Sequence, residues 1–291
     1  MKGFLRFLVI FGSVLLLSAF LAPILYDFLP FKFEKIFNRL VMIGTLLAIV
    51  IFVRIKKETL IRLGLIWRDT SPGFLTFGFF AGILTLSLTS AINILSGNAY
   101  FVIPEFAVSE WIGKISLALF TGLLIGVIEE FFFRGFIFRE LERILKGRVL
   151  IAILITSVFY SVIHFIGMKK LLIGPDPGFL DGLKLIGAPF LSFLDWPRFW
   201  PEAVGLFFFG LALNAAVFKT GSLYPAIGLH AGCVFFIRLD DLFVKFQGER
   251  TFLWGSKVVY DGLLGWLLLV CLTVFLYKTL KPDSDASGVV R

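Results

Sequence analysis

Residues 116–136 read SLALFTGLLIGVIEEFFFRGF, and this stretch decides the fold class. Its apolar residues are numerous enough to cross a bilayer as a helix, which takes about 20 residues. Inside the stretch stand the adjacent carboxylates Glu129 and Glu130, with Arg134 one helical turn later. A charged side chain at the bilayer centre costs at least ~2.5 kcal/mol on insertion scales. A chain that buries several such groups is therefore expected to use them.

The composition of the whole chain is that of a membrane protein. Of its 291 residues, 58% are hydrophobic and 16% are charged, whereas a soluble domain has about 25% charged residues. Long apolar runs lie near 4–26, 38–54, 73–95, 115–138, 149–167, 202–219, 222–238 and 259–279. We therefore expect an all-α, polytopic membrane protein, with about eight transmembrane helices and a polar site in the bundle core. Residues 1–291 are expected to form a single transmembrane domain that ends in a disordered tail at 282–291.

The net charge of +8 does not indicate a nucleic-acid partner. The basic residues lie mostly between apolar runs, where they face lipid headgroups, and no basic stripe with interleaved aromatic residues is present. The short segment 54–68 alone carries five Lys and Arg. By the positive-inside rule this predicts cytoplasmic N- and C-termini in an integral membrane protein, of the cell (inner) membrane if the source is prokaryotic. The expected partners are membrane lipids and a membrane-anchored protein or peptide substrate.

The chain has only two histidines, and both lie in apolar runs. His164 stands in TSVFYSVIHFIG (156–167), and His230 stands in SLYPAIGLHAGCVFF (222–236). Counting 1.5 Å per residue from the predicted cytoplasmic helix ends puts Glu129 at roughly 15 Å, His164 at roughly 22 Å and His230 at roughly 12 Å of depth. These groups are therefore expected to meet near the middle of the bilayer.

The spacing within 116–136 divides the polar groups between two tasks. Gly122, Gly126 and Glu129 share one helix face, on which small residues let another helix approach closely. Glu130 and Arg134 are an i,i+4 pair that can neutralise each other. This arrangement predicts that Glu130 stays ionised, while Glu129 is freer to take up a proton.

Three motifs occur in chain order on separate predicted helices: Glu129-Glu130-x-x-x-Arg134-Gly135, Tyr160-x-x-x-His164, and His230 within GSLYPAIGLHAG. This pattern resembles the CAAX-protease and bacteriocin-processing family of intramembrane glutamic endopeptidases. That family carries EExxxR, FxxxH and HxxxN motifs on an eight-helix fold. The resemblance covers roughly residues 115–238, which we expect to be the motif-bearing catalytic core.

Two positions depart from the family pattern. Tyr160 replaces the phenylalanine of the second motif, and Val234 stands where the third motif usually has asparagine. Valine cannot donate a hydrogen bond. Peptide hydrolysis, the reaction of that family, needs donors to the oxyanion that forms on the carbonyl oxygen, and one such donor is therefore missing at that position. Asn214, on the preceding predicted helix, is the candidate substitute.

The resemblance implies hydrolysis of a peptide bond in a membrane-associated protein or peptide, of the CAAX type or the sorting-signal type. In that mechanism Glu129 is the general base, and His164 positions or polarises the attacking water. His230 donates a hydrogen bond to the oxyanion. Glu130 is the fourth catalytic residue that the resemblance implies, and Arg134 and Tyr160 orient the site.

Other interpretations remain open at this stage. Two histidines and a glutamate also form a plausible catalytic zinc set, although no HExxH motif is present and each ligand would come from a different helix. We therefore expect no cofactor, with zinc as the alternative. The Val234 departure favours a second class of function, a non-catalytic membrane immunity or scaffold protein on the same fold. A transporter is less favoured, because the sequence shows no inverted repeat with paired broken helices.

Overall fold

The computed structural model describes residues 2–55, 63–65, 67–164, 173–192, 196–247 and 251–282. Within these ranges the chain is mostly helical. The first helices are α1 (Lys2–Tyr26), α2 (Phe33–Ile55), α3 (Ser71–Leu95), α4 (Val108–Glu130), a π-helical segment (Phe131–Phe138) and α5 (Arg139–Ile144). The later ones are α6 (Val149–His164), α7 (Phe179–Ser192), α8 (Trp196–Thr220), α9 (Tyr224–Phe243) and α10 (Leu263–Thr279). Two short strands, β1 (Ala99–Phe101) and β2 (Val244–Phe246), pair antiparallel with Ala99 opposite Phe246.

The predicted all-α, polytopic membrane architecture is confirmed. Each predicted apolar run overlaps a helix, and four spans in the described part are long and apolar enough to cross a membrane: Val9–Tyr26, Ser71–Leu95, Val108–Ile144 and Phe199–Thr220. The apolar helices Val149–His164 and Leu263–Thr279 are shorter. The count of eight transmembrane helices is therefore not confirmed. Most of the predicted disordered tail, residues 283–291, lies outside the described residues.

The contacts within the chain define two compact units, and the single transmembrane domain stays a prediction. The smaller unit comprises Met1–Thr59 and Val162–Phe199, and the larger comprises Leu60–Ser161 and Trp200–Arg291. In the smaller unit, α1 packs against α2 and α7 around a core of buried residues: Ala19, Ala22, Phe33, Ile36 and Phe37. A side chain at Gly182 of α7 would collide with Ala19 of α1, so that glycine sets the distance between these two helices.

The larger unit is built around α9, which packs against α3 on one side and α4 on the other. Every residue from Pro225 to Cys233 is buried. Four glycines bring the α3 and α9 backbones into direct contact, because a Cβ added at any of them would collide with the facing main chain: Gly78, Gly82, Gly228 and Gly232. The first half of α9, which carries His230, is thereby held at main-chain distance from its neighbour.

On its other side, α9 contacts the face of α4 that carries Gly122 and Gly126, and the close helix approach predicted for this face is present. A Cβ on Gly122 would lie 2.6 Å from the Ala231 carbonyl oxygen, and one on Gly126 would lie 2.9 Å from that of Ile227. Both distances are shorter than side chains tolerate, so only glycine permits this approach. The close contact brings the end of α4, with its two carboxylates, beside His230.

Candidate active site

The two carboxylates stand at a change of helix type. Glu129 and Glu130 are the last residues of α4, and the next eight residues, Phe131–Phe138, form the π-helical segment. All eight residues of this segment are buried. π-helical turns are rare and often occur at functional sites, because the wider turn redirects side chains that an α-helix would place elsewhere.

Glu130 and Arg134 form a buried ion pair across this junction. Arg134 Nη1 lies 3.1 Å from Glu130 Oε1, and both side chains are 0% exposed. The other terminal nitrogen, Nη2, donates to the Gly210 carbonyl oxygen of α8 at 3.4 Å. The guanidinium also stacks over the Tyr160 ring, with Cζ 4.4 Å from the ring centroid. The pairing predicted from the i,i+4 spacing is thus present, and contacts to α6 and α8 hold it in place.

His230 lies between the two carboxylates. Its Nδ1 is 2.8 Å from Glu130 Oε1, and its Nε2 is 3.9 Å from Glu129 Oε2. Because Glu130 is paired with Arg134 as a carboxylate, it accepts only, so the hydrogen-bond network assigns a hydrogen to Nδ1. This leaves Nε2 as the imidazole nitrogen that faces Glu129.

The two carboxylates differ sharply in exposure. The Glu129 side chain is 29% exposed, whereas the Glu130 side chain is completely buried. A base that must reach a water and a substrate needs some accessibility, and a residue that only orients its neighbour does not. The exposures therefore agree with the predicted division of tasks.

Aromatic rings close the other sides of the imidazole. Tyr160 of α6 and Phe209 of α8 both stand edge-on to the His230 ring, with centroid distances of 6.4 Å and 5.6 Å. Such apolar walls strengthen electrostatic interactions by excluding water. The sequence did not predict the contributions of Phe209 and Gly210. The sequence signal available for them was a glycine within an apolar run. In the structure, a Cβ added at Gly210 would lie 3.1 Å from Ser157 Cα, so the glycine permits a close approach of α8 to α6.

Among the predicted site residues, His164 belongs to the other compact unit. His164 is the last residue of α6, one turn after Tyr160, and it groups with the smaller unit. It is half-buried, and its predicted role in positioning water stays a prediction. The residues brought together in the larger unit are Glu129, Glu130, Arg134, Tyr160 and His230.

The predicted oxyanion substitute, Asn214, is engaged in helix packing. It is 0% exposed, and its amide nitrogen donates to Ser157 Oγ at 2.9 Å and to the Ile153 carbonyl oxygen at 3.4 Å. These contacts hold α8 against α6. Val234 lies one turn after His230 on α9 and is half-buried. The Asn214 contacts lend no support to the substitute role, which stays a prediction.

The zinc alternative finds no ligand set in the described part of the chain. Within it, no group of three or more His, Cys, Asp or Glu side chains is arranged to hold a metal ion. The imidazole–carboxylate contact would also suit a zinc-bound histidine, because such ligands usually bond a carboxylate through their second nitrogen. Metal dependence is therefore a question for experiment.

Comparison with known proteins finds a family model that is similar to the segment carrying these motifs. Residues 111–236 match the family model described as Rce1-like, type II CAAX prenyl endopeptidase Rce1-like. The resemblance predicted from the motifs is confirmed. The matched segment holds all three motifs and both departures from them. At the level of the family, the match supports a membrane endopeptidase.

One curated protein is similar to this chain over a longer segment than the family model. The uncharacterized protein YyaK of Bacillus subtilis (strain 168) is 24% identical over 216 residues, which is 69% of this chain and 62% of that protein. The chain thus matches less than two thirds of that relative's length. No solved structure matches the chain significantly.

Proposed function

We propose that this chain is an intramembrane endopeptidase that cleaves a peptide bond of a membrane-associated protein or peptide with a glutamate-activated water. The observation that carries the proposal is the position of His230, with Nδ1 2.8 Å from Glu130 and Nε2 3.9 Å from Glu129. A packing histidine needs one hydrogen-bond partner. An imidazole held between one fully buried carboxylate and one partly exposed carboxylate is arranged for proton transfer.

The proposed reaction assigns the base to Glu129. Its carboxylate takes a proton from water while the water oxygen attacks the scissile carbonyl carbon, and it later passes that proton to the leaving amine. His230 turns Nε2 towards the reacting carbonyl. When the imidazole carries a second proton, on Nε2, it stabilises the negative charge that develops on the carbonyl oxygen. We also propose that His164 positions the water, as the family resemblance implies.

Glu130 and Arg134 act through His230 in this mechanism. Glu130 fixes the ring orientation and the Nδ1 hydrogen, and Arg134 fixes Glu130. The buried pair sums to zero charge, which is what a dry site tolerates. We therefore propose both as positioning residues and keep the term catalytic for Glu129, His164 and His230.

The proposal extends to substrate and setting. We propose a CAAX-type or sorting-signal-type peptide, anchored in the membrane, as the substrate class; the description of the matching family supports the first of these two. We propose no resident cofactor and cytoplasmic termini, the latter because of the basic segment 54–68.

A cleavage assay in proteoliposomes tests the function. The probes are a farnesylated peptide ending in a CAAX sequence, the same peptide without the lipid, and a membrane-anchored sorting-signal peptide. Glu129→Gln is expected to abolish cleavage of whichever probe the unmodified protein cleaves. Glu140→Gln is the matched control, because Glu140 is a buried carboxyl further along the same apolar span and pairs with Arg143 instead. Equal cleavage by Glu129→Gln and the unmodified protein would refute the proposed base.

The departure at Val234 favours one competing function, a non-catalytic scaffold or immunity protein. That function predicts no cleavage of any probe by the folded protein and an unchanged cellular phenotype for Glu129→Gln. The zinc-dependent version of the protease makes a different prediction. It requires that a chelator stops cleavage and that added zinc restores it, whereas the metal-free mechanism predicts an unchanged rate.

A further inference from the structure

The ends of α4 and α9 that lie away from the candidate active site are joined by stacked aromatic rings. Phe243, the last residue of α9, is stacked between Phe101 of β1 and Trp111 of α4, with ring-centroid distances of 5.5 Å and 5.1 Å. Phe106 stands edge-on to Trp111 at 5.2 Å. The Lys114 ammonium lies 4.3 Å from the centroid of the Phe106 ring. We refer to these five residues as the aromatic cluster.

The main chain ties this cluster to the helices. β1 pairs with β2, which follows α9 directly. The Val102 amide also donates to the Phe243 carbonyl oxygen at 2.7 Å. The rings therefore come from three elements that backbone hydrogen bonds and helix packing hold together, and the cluster marks one end of α4.

Exposed apolar side chains surround the aromatic cluster. Ile103, Val108 and Ile112 are exposed, and so is the Phe101 ring itself. They extend the exposed apolar surface of the membrane span that begins at Val108. An apolar patch of this kind indicates a contact with lipid or protein. Aromatic rings combined with a lysine, whose apolar stem lies on the protein while its charge stays in water, are typical of the membrane–water interface.

The position of this end matters because the span is longer than the membrane is thick. The span Val108–Ile144 has 37 residues, which makes a helix of about 50 Å, whereas a bilayer with its headgroups measures about 40–45 Å. Glu129 lies roughly 15 Å from the helix end near Arg139 and roughly 22 Å from Lys114. Together these two distances exceed the hydrocarbon core of about 30 Å, so the depth of Glu129 depends on which end is fixed.

We propose that the aromatic cluster lies in the headgroup region of the bilayer, with lipid headgroups as its partner, and that it fixes the depth of α4. A helix along the membrane normal then places Glu129 roughly 22 Å from this interface and about 8 Å from the opposite hydrocarbon boundary. The candidate active site therefore lies close to the membrane surface opposite the cluster. A peptide bound at that surface crosses only the shorter distance to reach Glu129. The inference goes beyond the proposed function and does not depend on it.

Depth measurements by electron paramagnetic resonance test the proposal. A nitroxide on Ile112→Cys reports the depth of the cluster, in a protein that also carries Cys233→Ala and Cys271→Ser. The labelled protein is reconstituted into phosphatidylcholine bilayers of shorter and longer acyl chains, and relaxation of the label by oxygen is compared with relaxation by a water-soluble nickel complex. We expect the label at the level of the headgroups, at a distance from the phosphates that does not change with acyl-chain length.

Variants of the cluster provide the contrast. Trp111→Leu together with Phe106→Leu removes both rings but keeps apolar side chains, so the span is expected to centre on the hydrocarbon core. The label is then expected to shift by about half of each change in bilayer thickness. Trp111→Phe keeps a ring and is expected to keep the constant depth. Phe80→Leu is the matched control, because Phe80 is an exposed ring inside the α3 span.

Three results would overturn the proposal. The first is a label that the nickel complex relaxes as in bulk water in every bilayer, which would place the cluster outside the headgroup region. The second is a label shielded from both reagents, which would show that another protein chain covers the cluster. The third is a depth that drifts equally with and without the two rings. The first two need no cluster variant, so the proposal stays testable where the double variant fails to fold. None of these measurements uses cleavage, so the proposal and the proposed function can fail separately.

Discussion

The two ends of α9 hold polar groups in contrasting ways. Near its beginning, His230 contacts the Glu130 carboxylate, which is in turn paired with Arg134, and all three side chains are at most 5% exposed. Near its end, Asp240 accepts a hydrogen bond from the neutral hydroxyl of Ser90 on α3 at 2.7 Å. Burial raises the pKa of Asp240, and the Ser90 hydrogen bond only partly opposes this.

The difference teaches how a membrane bundle separates function from packing. An acid bonded to a hydroxyl can become neutral by taking up a proton and still keep its hydrogen bond, so it holds two helices together whatever its charge. Glu130 is held by a permanent cation and offers an acceptor in one fixed direction. The contact between Asp240 and Ser90 suits helix packing. The contact between Glu130 and Arg134 suits a site in which one histidine nitrogen must face a base.

The largest loss of stability is expected from removing the cation of the Glu130–Arg134 ion pair, which contacts His230 of α9. Arg134→Met leaves Glu130 buried without its cation, which is expected to lower the free energy of unfolding by about 3–5 kcal/mol. Replacing both members, Glu130→Leu with Arg134→Met, is expected to recover most of that stability while leaving the protein inactive. Thermal unfolding of purified protein in detergent, together with the cleavage assay, measures both. Equal stability of the single and double variants would show that the ion pair is not the source of the loss.

The next effect concerns the orientation of His230. Glu130→Gln keeps the shape but offers both a donor and an acceptor to Nδ1, so the tautomer is no longer imposed. We expect cleavage to fall about 10- to 100-fold, as for other residues that orient a reacting group. Since the chain has only two histidines, His164→Gln leaves a single imidazole whose tautomer ¹⁵N NMR can report.

The NMR experiment compares three proteins that all carry His164→Gln. Without a further change, the tautomer with the hydrogen on Nδ1 is expected to dominate. Adding Glu130→Gln is expected to mix the two tautomers, whereas adding the control substitution Glu140→Gln is expected to leave the spectrum unchanged. An Nδ1 that carries no hydrogen in the protein with Glu130 intact would contradict the assigned network.

A smaller effect is expected from the contact that brings α4 to His230. Gly126→Ala adds a Cβ 2.9 Å from the Ile227 carbonyl oxygen and 3.6 Å from the His230 Cβ. Overpacking of this kind costs about 1–3 kcal/mol, and the shift of His230 is expected to lower activity as well. Gly113→Ala on the same helix is the control, because nothing lies within 4 Å of its added Cβ. If both variants unfold at the same temperature, the backbone contact does not hold the helices together.

The smallest effect is expected at the neutral end of α9. The raised pKa of Asp240 means that its contribution to stability is full below the unfolded-state pKa and is lost as pH rises through the folded-state pKa. Asp240→Asn keeps an acceptor for Ser90 and removes this dependence. We expect a slightly higher Tm at neutral pH and a flatter profile of Tm against pH in the acidic range, with cleavage unchanged. A steeper profile in the variant would contradict this account.

Sequence patterns predicted those parts of the site that depend on one helix at a time. The i,i+4 spacing predicted the Glu130–Arg134 pair, and the glycine spacing predicted the close face of α4, because both follow from 3.6 residues per turn. The depths counted along the predicted helices indicated that His230 and Glu129 meet, and His230 Nε2 lies 3.9 Å from Glu129 Oε2. These depths could not predict that Glu130, 100 positions earlier in the chain, would bond the other nitrogen of the ring.

By itself, the sequence determined the membrane class, the approximate helix positions and the resemblance to a protease family, because these depend on composition, hydrophobic run length and motif order. Only the tertiary structure decided which imidazole nitrogen faces which carboxylate, that a π-helical segment follows Glu130, and that Tyr160 and Phe209 wall the histidine. These features depend on side chains that different helices bring together. Local periodicity carries no information about the partner across a helix contact, so packing settles it.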